Sequence, residues 1–303
     1  MRMIPGCAPC LVQMAITTAK AGNADDKKIL QAAKSAMEVL CKADFRFPAP
    51  SFSEPILRRV HGILKNPDPF RKAKRDSNKI GIKLANELAR PFVEKAASGK
   101  DRVFRGIRAS IAGNIADYAV DPELAGNEEK KLREAFKLKF SMSDFEQFYS
   151  RLKSARNILV ICDNAGEIAF DRVLIEEFSR LGKKTAVAVK SGPALNDALR
   201  DDALQVGMDK VPNTRIITTG QNRMGIDLKT SSPKLKSAWQ AADLVLAKGQ
   251  ANFESLAGWN DKLFFLTMIK CRALEAELGI KKGSAIFISG KTFNEKFNHP
   301  EQR

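Results

Sequence analysis

Histidine, tryptophan and tyrosine are scarce in this chain of 303 residues, with two of each. The histidines, His61 and His299, are too few for a histidine-rich metal site, and a Ser-His-Asp triad is not available from them without strain. Long apolar runs are missing too. The C-terminal stretch Leu263–Ile269 is far too short to span a membrane. Five cysteines, an odd number in a chain of this size, do not read as a disulfide framework and point to a reducing, cytoplasmic setting. Arg2 followed by uncharged residues 3–19 echoes a secretion signal, but Pro5, Gly6, Pro9 and Gln13 interrupt the apolar stretch and no clean cleavage site follows. Internal repeats and low-complexity segments are absent. Acidic residues are in deficit, 35 against 51 basic ones, which leaves acidic substrates, nucleic acid and anionic surfaces open as partners.

What is present is the composition of a soluble globular protein, 44% hydrophobic and 28% charged, with a length of one large or two ordinary domains. The first half reads as helices. Asp68-Pro69 has the form of an N-cap followed by proline, and Phe70, Ala73, Ile80, Leu84 and Leu88 recur at helical spacing until Pro91 kinks or ends the run. A second helix is expected from about Asp101 to Tyr118, on Val103, Ile107, Ile111 and Ile115. Phe47-Pro48-Ala49-Pro50 is a connector, and no strand signal precedes residue 155. Beyond it, short apolar runs alternate with helical stretches: Ile158–Cys162, Thr185–Val189, Ile216–Thr218, Leu244–Ala247, Phe264–Thr267 and Ala285–Ile288. Between the first two lies amphipathic Ile168–Leu181, closed by Gly182. That rhythm predicts an α/β fold with a mostly parallel sheet. The expected division is a helical N-terminal domain over residues 1–150 and an α/β domain over 151–303.

In an open parallel sheet, ligands bind outside the carboxyl ends of the strands. The first predicted strand is followed by Asp163-Asn164-Ala165-Gly166-Glu167, the second by Ser191–Asp197, and the fourth by Lys248–Glu254. Three junctions thus deliver carboxylates, amides and a lysine to one edge. Asp163, Asn164 and Asp197 offer oxygen donors only, which suits Mg²⁺ or Mn²⁺ rather than zinc. Lys248 would add a point charge for a phosphoryl oxygen, and Gly166 and Gly249 would let backbone N–H groups approach an anion. Taken singly, Asp163-Asn164 reads equally as a turn with an N-cap, and Lys248 as a solvated surface lysine.

Together these residues resemble the damage-control phosphatases, whose domain is also called the acidic-residue methyltransferase-like metal-binding domain. The resemblance is carried by Asp163–Glu167 with Phe170-Asp171, and it covers nearly the whole chain. Cys7-Ala8-Pro9-Cys10 matches the CxxC of the family's stand-alone prokaryotic branch. Asp68-Pro69-Phe70 with Lys74 and Asn78, and Ala112–Ile115 with Asp117, match its helical half; Asn196-Asp197, Lys248–Glu254, Lys270-Cys271 and Leu278-Gly279 match the rest. The resemblance implies a Rossmannoid α/β/α sandwich preceded by a helical region. It also implies divalent-metal-dependent hydrolysis of small phosphoesters, namely sugar phosphates, nucleotides or damaged phosphometabolites. Carried over residue by residue, Asp163, Asn164 and Asp197 hold Mn²⁺, Mg²⁺, Co²⁺ or Ni²⁺, and Lys248 acts with them in catalysis from a phosphate-contacting loop. Gly166, Glu167, Asn196, Asn252, Glu254, Asn114 and Asp117 contact substrate. Gln250-Ala251-Asn252 departs from the family pattern, in which a glycine often precedes the asparagine. The nucleophile is left open between a water activated by the cation and Asp163 itself.

On a helical wheel Ser110, Asn114 and Asp117 share a stripe, facing either substrate or an interdomain contact. The lone CxxC lacks a second pair for structural zinc and opens a helical region, so packing is its plainest reading, with a regulatory or metal role as the alternative. Cys162 and Cys271 read as buried small hydrophobes. Ser289-Gly290-Lys291-Thr292 imitates a Walker A ending, but Ala285 occupies the first glycine. Residues 58–108 hold 15 Lys and Arg against 5 acidic residues, which makes a basic nucleic-acid-binding protein the competing class. Only Phe70, Phe92 and Phe104 offer aromatics there, so a solvated basic face that attracts anionic substrates is preferred. A Rossmann-type methyltransferase or dinucleotide binder is weakened because the first strand–helix turn lacks G-x-G-x-x-G. The expected partner is a small phosphorylated metabolite, with no specific nucleic acid and no membrane, and with a homo-oligomer left open.

Overall fold

The fold is taken from a computed structural model, which describes residues 1–115, 128–259 and 262–297. Its frame is a seven-stranded sheet: β1 (Phe140–Ser143), β2 (Asn157–Ile161), β3 (Lys184–Val189), β4 (Thr214–Thr218), β5 (Leu244–Lys248), β6 (Leu263–Met268) and β7 (Ala285–Ser289). The spatial order is β1-β7-β6-β5-β2-β3-β4. From β4 across to β6 every pair is parallel; β7 runs antiparallel to β6, and β1 runs parallel to β7. The central strands β5 and β6 are buried along their whole length because both faces are covered. Along β2 the residues alternate, Ile158 and Val160 entering one core and Leu159 and Ile161 the other.

The six predicted strands all form. The strand β1 was not expected: Phe-Ser-Met-Ser is short and half polar, and its sheet-edge position leaves alternate residues exposed. One strand of the sheet therefore lies before residue 150.

The helices are α1 (Cys7–Ala21), α2 (Asp26–Leu40), α3 (Ser53–Leu64), α4 (Arg71–Leu84), α5 (Arg90–Glu94), α6 (Gly99–Ile115), α7 (Glu128–Ala135), α8 (Phe145–Ser154), α9 (Glu167–Arg180), α10 (Arg200–Gln205), α11 (Pro233–Ala241), α12 (Gln250–Leu256), α13 (Arg272–Leu278) and α14 (Gly290–Phe297). No helix among the described residues is long and apolar enough to cross a membrane. Helices α4, α6, α8 and α9 close one face of the sheet, and α11 to α14 close the other. A third core joins α1, α2 and α3, with Ala194 inside it and Leu195 and Met224 packed against it. Helix α6 lies tight on α9: a Cβ on Gly113 would come within 2.7 Å of the Phe170 ring.

Two helix boundaries differ from expectation. Asp68 does not cap α4, because its carboxylate pairs with the buried Lys74 ammonium at 2.9 Å and the helix begins at Arg71. Ahead of Pro91 the chain does not simply stop. A π-helical turn over Ala85–Ala89 accommodates it, with Arg90 N–H donating to Ala85 O, and α5 continues the run. The α6 pattern extends to Ile115; Tyr118 lies outside the described residues.

The basic excess of the helical half is partly spent on α9. Arg102 forks onto Glu177 at 2.7 and 2.9 Å, and Arg90 forks onto Glu176.

Candidate active site

Strands β2 and β5 are neighbours at the middle of the sheet, and their onward connections leave in opposite directions, to β3 on one side and β6 on the other. That reversal opens a crevice at their carboxyl ends. Asp163 follows β2 there, and the β3 loop is tied to it through the backbone. Ala198 N–H donates to Asp163 O at 2.8 Å, Ala165 N–H donates to Asn196 O at 2.9 Å, and Asn164 and Asp197 form an isolated bridge. Main-chain bonds thus set the two aspartates side by side.

The crevice opens into a cleft of about 310 Å³. Asp163, Asn164, Asn196, Asp197 and Glu254 line its sheet side together with Lys270, while α1 and residues 49–50 form the opposite side. Asp163 Oδ2 accepts from Asn114 Nδ2 at 3.1 Å and from Asn164 Nδ2 at 3.0 Å. The same two amides reach Glu167 Oε2, at 2.6 and 3.2 Å. Asp197 is paired with Lys190 at 3.3 Å, but the Lys190 hydrogen bond goes to Gly225 O, and Asp197 Oδ2 is left without a directed donor. Glu254 is held by Gln250 Nε2 at 2.7 Å.

Burial raises the Asp163 carboxyl well above its ordinary range, and the charges of Glu167 and Asp197 raise it further. Burial likewise pushes Asp197 up to about 6 against the pull of Lys190. Buried Asp163, Glu167, Asp171 and Asp197 face buried Lys190 and Lys248, so the cluster carries more negative than positive charge. This set fits a hard divalent cation. Asp163, Asp197 and the Asn164 carbonyl are oxygen donors, Asp197 Oδ2 lacks a directed hydrogen bond, and a cation would offset the surplus charge. Among the described residues no group of three or more His, Cys, Asp and Glu side chains is arranged to hold a metal ion.

The structure sorts the remaining predicted residues differently. Lys248 is neither in the cleft nor on the surface. It is fully buried behind Asp163, with Nζ 2.5 Å from Glu167 Oε1 and 2.6 Å from Asp171 Oδ1, and these carboxylates hold its ammonium well above its ordinary pKa despite burial. Asp171 itself is pushed up to about 6, by burial above all. Ser110 donates to Asp171 at 2.5 Å, so the Ser110–Asn114 stripe of α6 does face the carboxylates. Asp117 lies outside the described residues.

Gly166 does not cradle an anion, since its N–H donates to Asn78 Oδ1 at 2.7 Å. Glycine is required there by φ +78° and by the passage of α4, where Ser77 would press on a Cβ at 3.1 Å. Gly249 N–H is likewise spent, on Leu266 O, and a Cβ on Gly249 would sit 2.0 Å from Asp163 Oδ2. Asn252 is buried, its Nδ2 joining Cys162 O and Lys248 O at 3.2 and 2.8 Å, so it staples the two strand ends together. Cys162 is buried as expected, but Cys271 is half-buried at the cleft beside Cys7 and Cys10. Burial raises both of the latter thiols.

Sequence reasoning gave no role to Asp171, and it missed Lys190 altogether. The signal for Lys190 was present: a lysine directly after an apolar strand, like Lys248.

Comparison with known proteins identifies the family and the fold. The family model for the damage-control phosphatase ARMT1-like domain matches residues 3–286. The chain is 33% identical over 240 residues to a damage-control phosphatase of Pyrococcus horikoshii, covering 78% of this chain and 79% of that one. It is 28% identical to a damage-control phosphatase of Archaeoglobus fulgidus, over 94% of this chain and 98% of that one. An uncharacterised protein of Methanocaldococcus jannaschii is 29% identical over 94% of both chains. Among solved structures, a DUF89 family protein of Pyrococcus horikoshii superposes with a TM-score of 0.85 at 28% identity, covering 96% of this chain and 99% of that one.

Proposed function

This chain belongs to the ARMT1-like damage-control phosphatase family, and from that premise we propose that its cleft hydrolyses small phosphomonoesters with a divalent cation held by Asp163, Asn164 and Asp197. The observation that carries the reading is the buried negative surplus at the carboxyl ends of β2 and β3, turned toward a small open cleft. When bound, the cation supplies Lewis-acid polarisation of a phosphoryl oxygen and neutralises the aspartates.

The chain's own residues provide the rest. Asn114 and Asn164 clamp Asp163 to Glu167, so the carboxylate is fixed before substrate arrives. Lys248 fixes Glu167 from behind and is a positioning residue. The positive charge expected of Lys248 toward the phosphoryl group falls to Lys270, whose exposed side chain lines the cleft and acts on Asp163 through its charge. The oxygen-only donor set favours Mg²⁺ or Mn²⁺ over softer ions. The five cysteines are unpaired, in keeping with work in the cytoplasm on a small phosphorylated metabolite.

The deciding experiment pairs two readouts on the purified protein. Turnover of p-nitrophenyl phosphate is measured with Mg²⁺, Mn²⁺, Co²⁺ and Ni²⁺ and after chelation, and thermal melting is followed across the same ions. Metal-dependent turnover with a metal-induced rise in Tm is the expected result. Full activity after exhaustive chelation overturns the cation assignment.

A further inference from the structure

The two sides of the cleft are chemically unlike. Toward the sheet stand carboxylates and amides. Toward the N-terminal helices stand Leu11, Met14, Ala49, Pro50, Leu195 and Met224, beside the weakly polar thiols of Cys7 and Cys10. These side chains bring methyl groups, thioethers and a proline ring, which gain from apolar contact but offer no strong hydrogen bond to a ligand. Leu195 adds a second observation. Its φ is +53°, a left-handed conformation that a leucine adopts only when its surroundings impose it, and it stands two residues before Asp197. The strained position packs the leucine against the α1–α3 core while the same loop carries Asp197 to the sheet side.

We propose that this apolar side is the pocket for the alcohol portion of the substrate, and that it selects phosphomonoesters of short aliphatic alcohols over sugar phosphates. The inference rests on the reading of this cleft as the phosphatase site. A sugar ring would bring several hydroxyls against a wall that cannot pair with them, and an unpaired buried hydroxyl weakens binding. An alkyl body gains contact at each methylene, and unbranched Met14 and Met224 adapt to its shape. The size agrees: about 310 Å³ is at the small end of the roughly 300–1,000 Å³ range of ligand pockets, enough for a phosphate and a short chain.

The test compares n-hexyl phosphate with glucose 6-phosphate by kcat/KM, in the wild type and in Met14→Gln and Met224→Gln, which keep length and add an amide. The wild type is expected to favour hexyl phosphate by at least about tenfold, and each variant to shrink that ratio by a similar factor through KM, with thermal melting as the folding control. Equal or better use of glucose 6-phosphate, or an unchanged ratio in both variants, overturns the proposal while leaving the phosphatase reading intact. If no phosphoester is turned over, the activity reading alone fails, and calorimetry with Mg²⁺ and ethyl-, butyl- and hexylphosphonate decides the wall. Affinity that rises with chain length in the wild type and flattens in Met14→Gln supports it; affinity independent of chain length overturns it.

Discussion

The buried layer behind the cleft and the face of the cleft are made from the same residue types a few ångströms apart, yet they are built on opposite rules. Behind, Lys248 is shared by Glu167 and Asp171 and Ser110 also donates to Asp171 Oδ1, so each charge has a charged partner and a directed hydrogen bond, although Asp171 Oδ2 has none. In front, Asp163 is clamped by amides that carry no charge, and Asp197 Oδ2 meets only the Lys190 ammonium at 3.3 Å, without a directed hydrogen bond. Buried polar groups that are paired and hydrogen-bonded rigidify their surroundings. On the proposed function the rear layer serves as scaffold and the front layer as chemistry, although sequence alone reads Lys248 and Asp163 as partners in one task.

The largest expected effect separates them by activity. Asp163→Asn keeps the shape and removes the charge, and it should lower kcat/KM by a factor on the order of 10³ or more, since a charge aimed at the reacting group is lost. The metal-free variant should melt at or above the wild-type temperature, because burial and the charges of Glu167 and Asp197 all disfavour the ionised carboxyl that the amide replaces. Its Tm should no longer respond to Mn²⁺. Wild-type turnover in this variant would erase the distinction between front and rear.

Lys248→Met should do the reverse and strike stability first. Removing the shared cation leaves two carboxylates buried without a partner, which costs about 3–5 kcal/mol in comparable cases. Denaturant titration measures it. The triple variant Lys248→Met, Glu167→Gln, Asp171→Asn should recover part of the loss, because the stranded charges are gone. Loss of activity with an unchanged unfolding midpoint would move Lys248 back to the chemistry.

How far the sequence carries this distinction depends on what side chains do at strand ends. Asp163, Asn164, Asn196, Asp197 and Glu254 were legible because a parallel sheet places the residues after its strands at one edge, and these line the cleft. Lys248 was legible as a strand-end residue but not as a buried one. Side chains alternate faces along a strand, and the last residue points inward or outward according to one step of register. Gly166 and Gly249 were marked as glycines that let backbone N–H groups approach an anion. What approaches is α4 in one case and the Asp163 carboxylate in the other, neither of them an anion from solution. The strand β1 escaped notice because an edge strand need not be apolar on both faces. The apolar wall from α1 was invisible, since the contact between a helix at the start of the chain and Leu195 or Met224 is fixed only by the three-dimensional packing.

A smaller effect tests the rear layer at its edge. Ser110→Ala removes the hydroxyl that meets Asp171 at 2.5 Å but keeps Lys248 in place. The expected destabilisation is about 1–3 kcal/mol, the range for a buried group deprived of one hydrogen-bond partner. Turnover should stay within a few-fold of wild type, because Asn114 still holds Asp163. A collapse of kcat at unchanged stability would make the serine part of the reacting site.

The smallest expected effect isolates burial from contact distance. Lys100 and Glu146 pair at 2.7 Å, almost as closely as Lys248 and Glu167 at 2.5 Å. Counted by distance, the two bridges look equivalent. But the side chains of the first pair are 44% and 79% exposed, whereas those of the second are 0% and 1% exposed. Water competes for both partners of the surface pair, salt screens them, and ordering two long side chains consumes much of the Coulomb gain. Lys100→Ala should therefore change stability by less than about 1 kcal/mol, and added salt should reduce the difference further. Some of that change will come from the ammonium lying 5.9 Å over the Tyr149 ring, a contact that a methionine at position 100 would also remove. Paired denaturation curves for Lys100→Met and Lys248→Met, at low and high salt, put the two bridges on one scale. The same substitution should be near-silent at position 100 and severe at 248. If the two losses came out alike, contact distance and not burial would govern these pairs, and the rear layer would lose its claim to be the scaffold of the site.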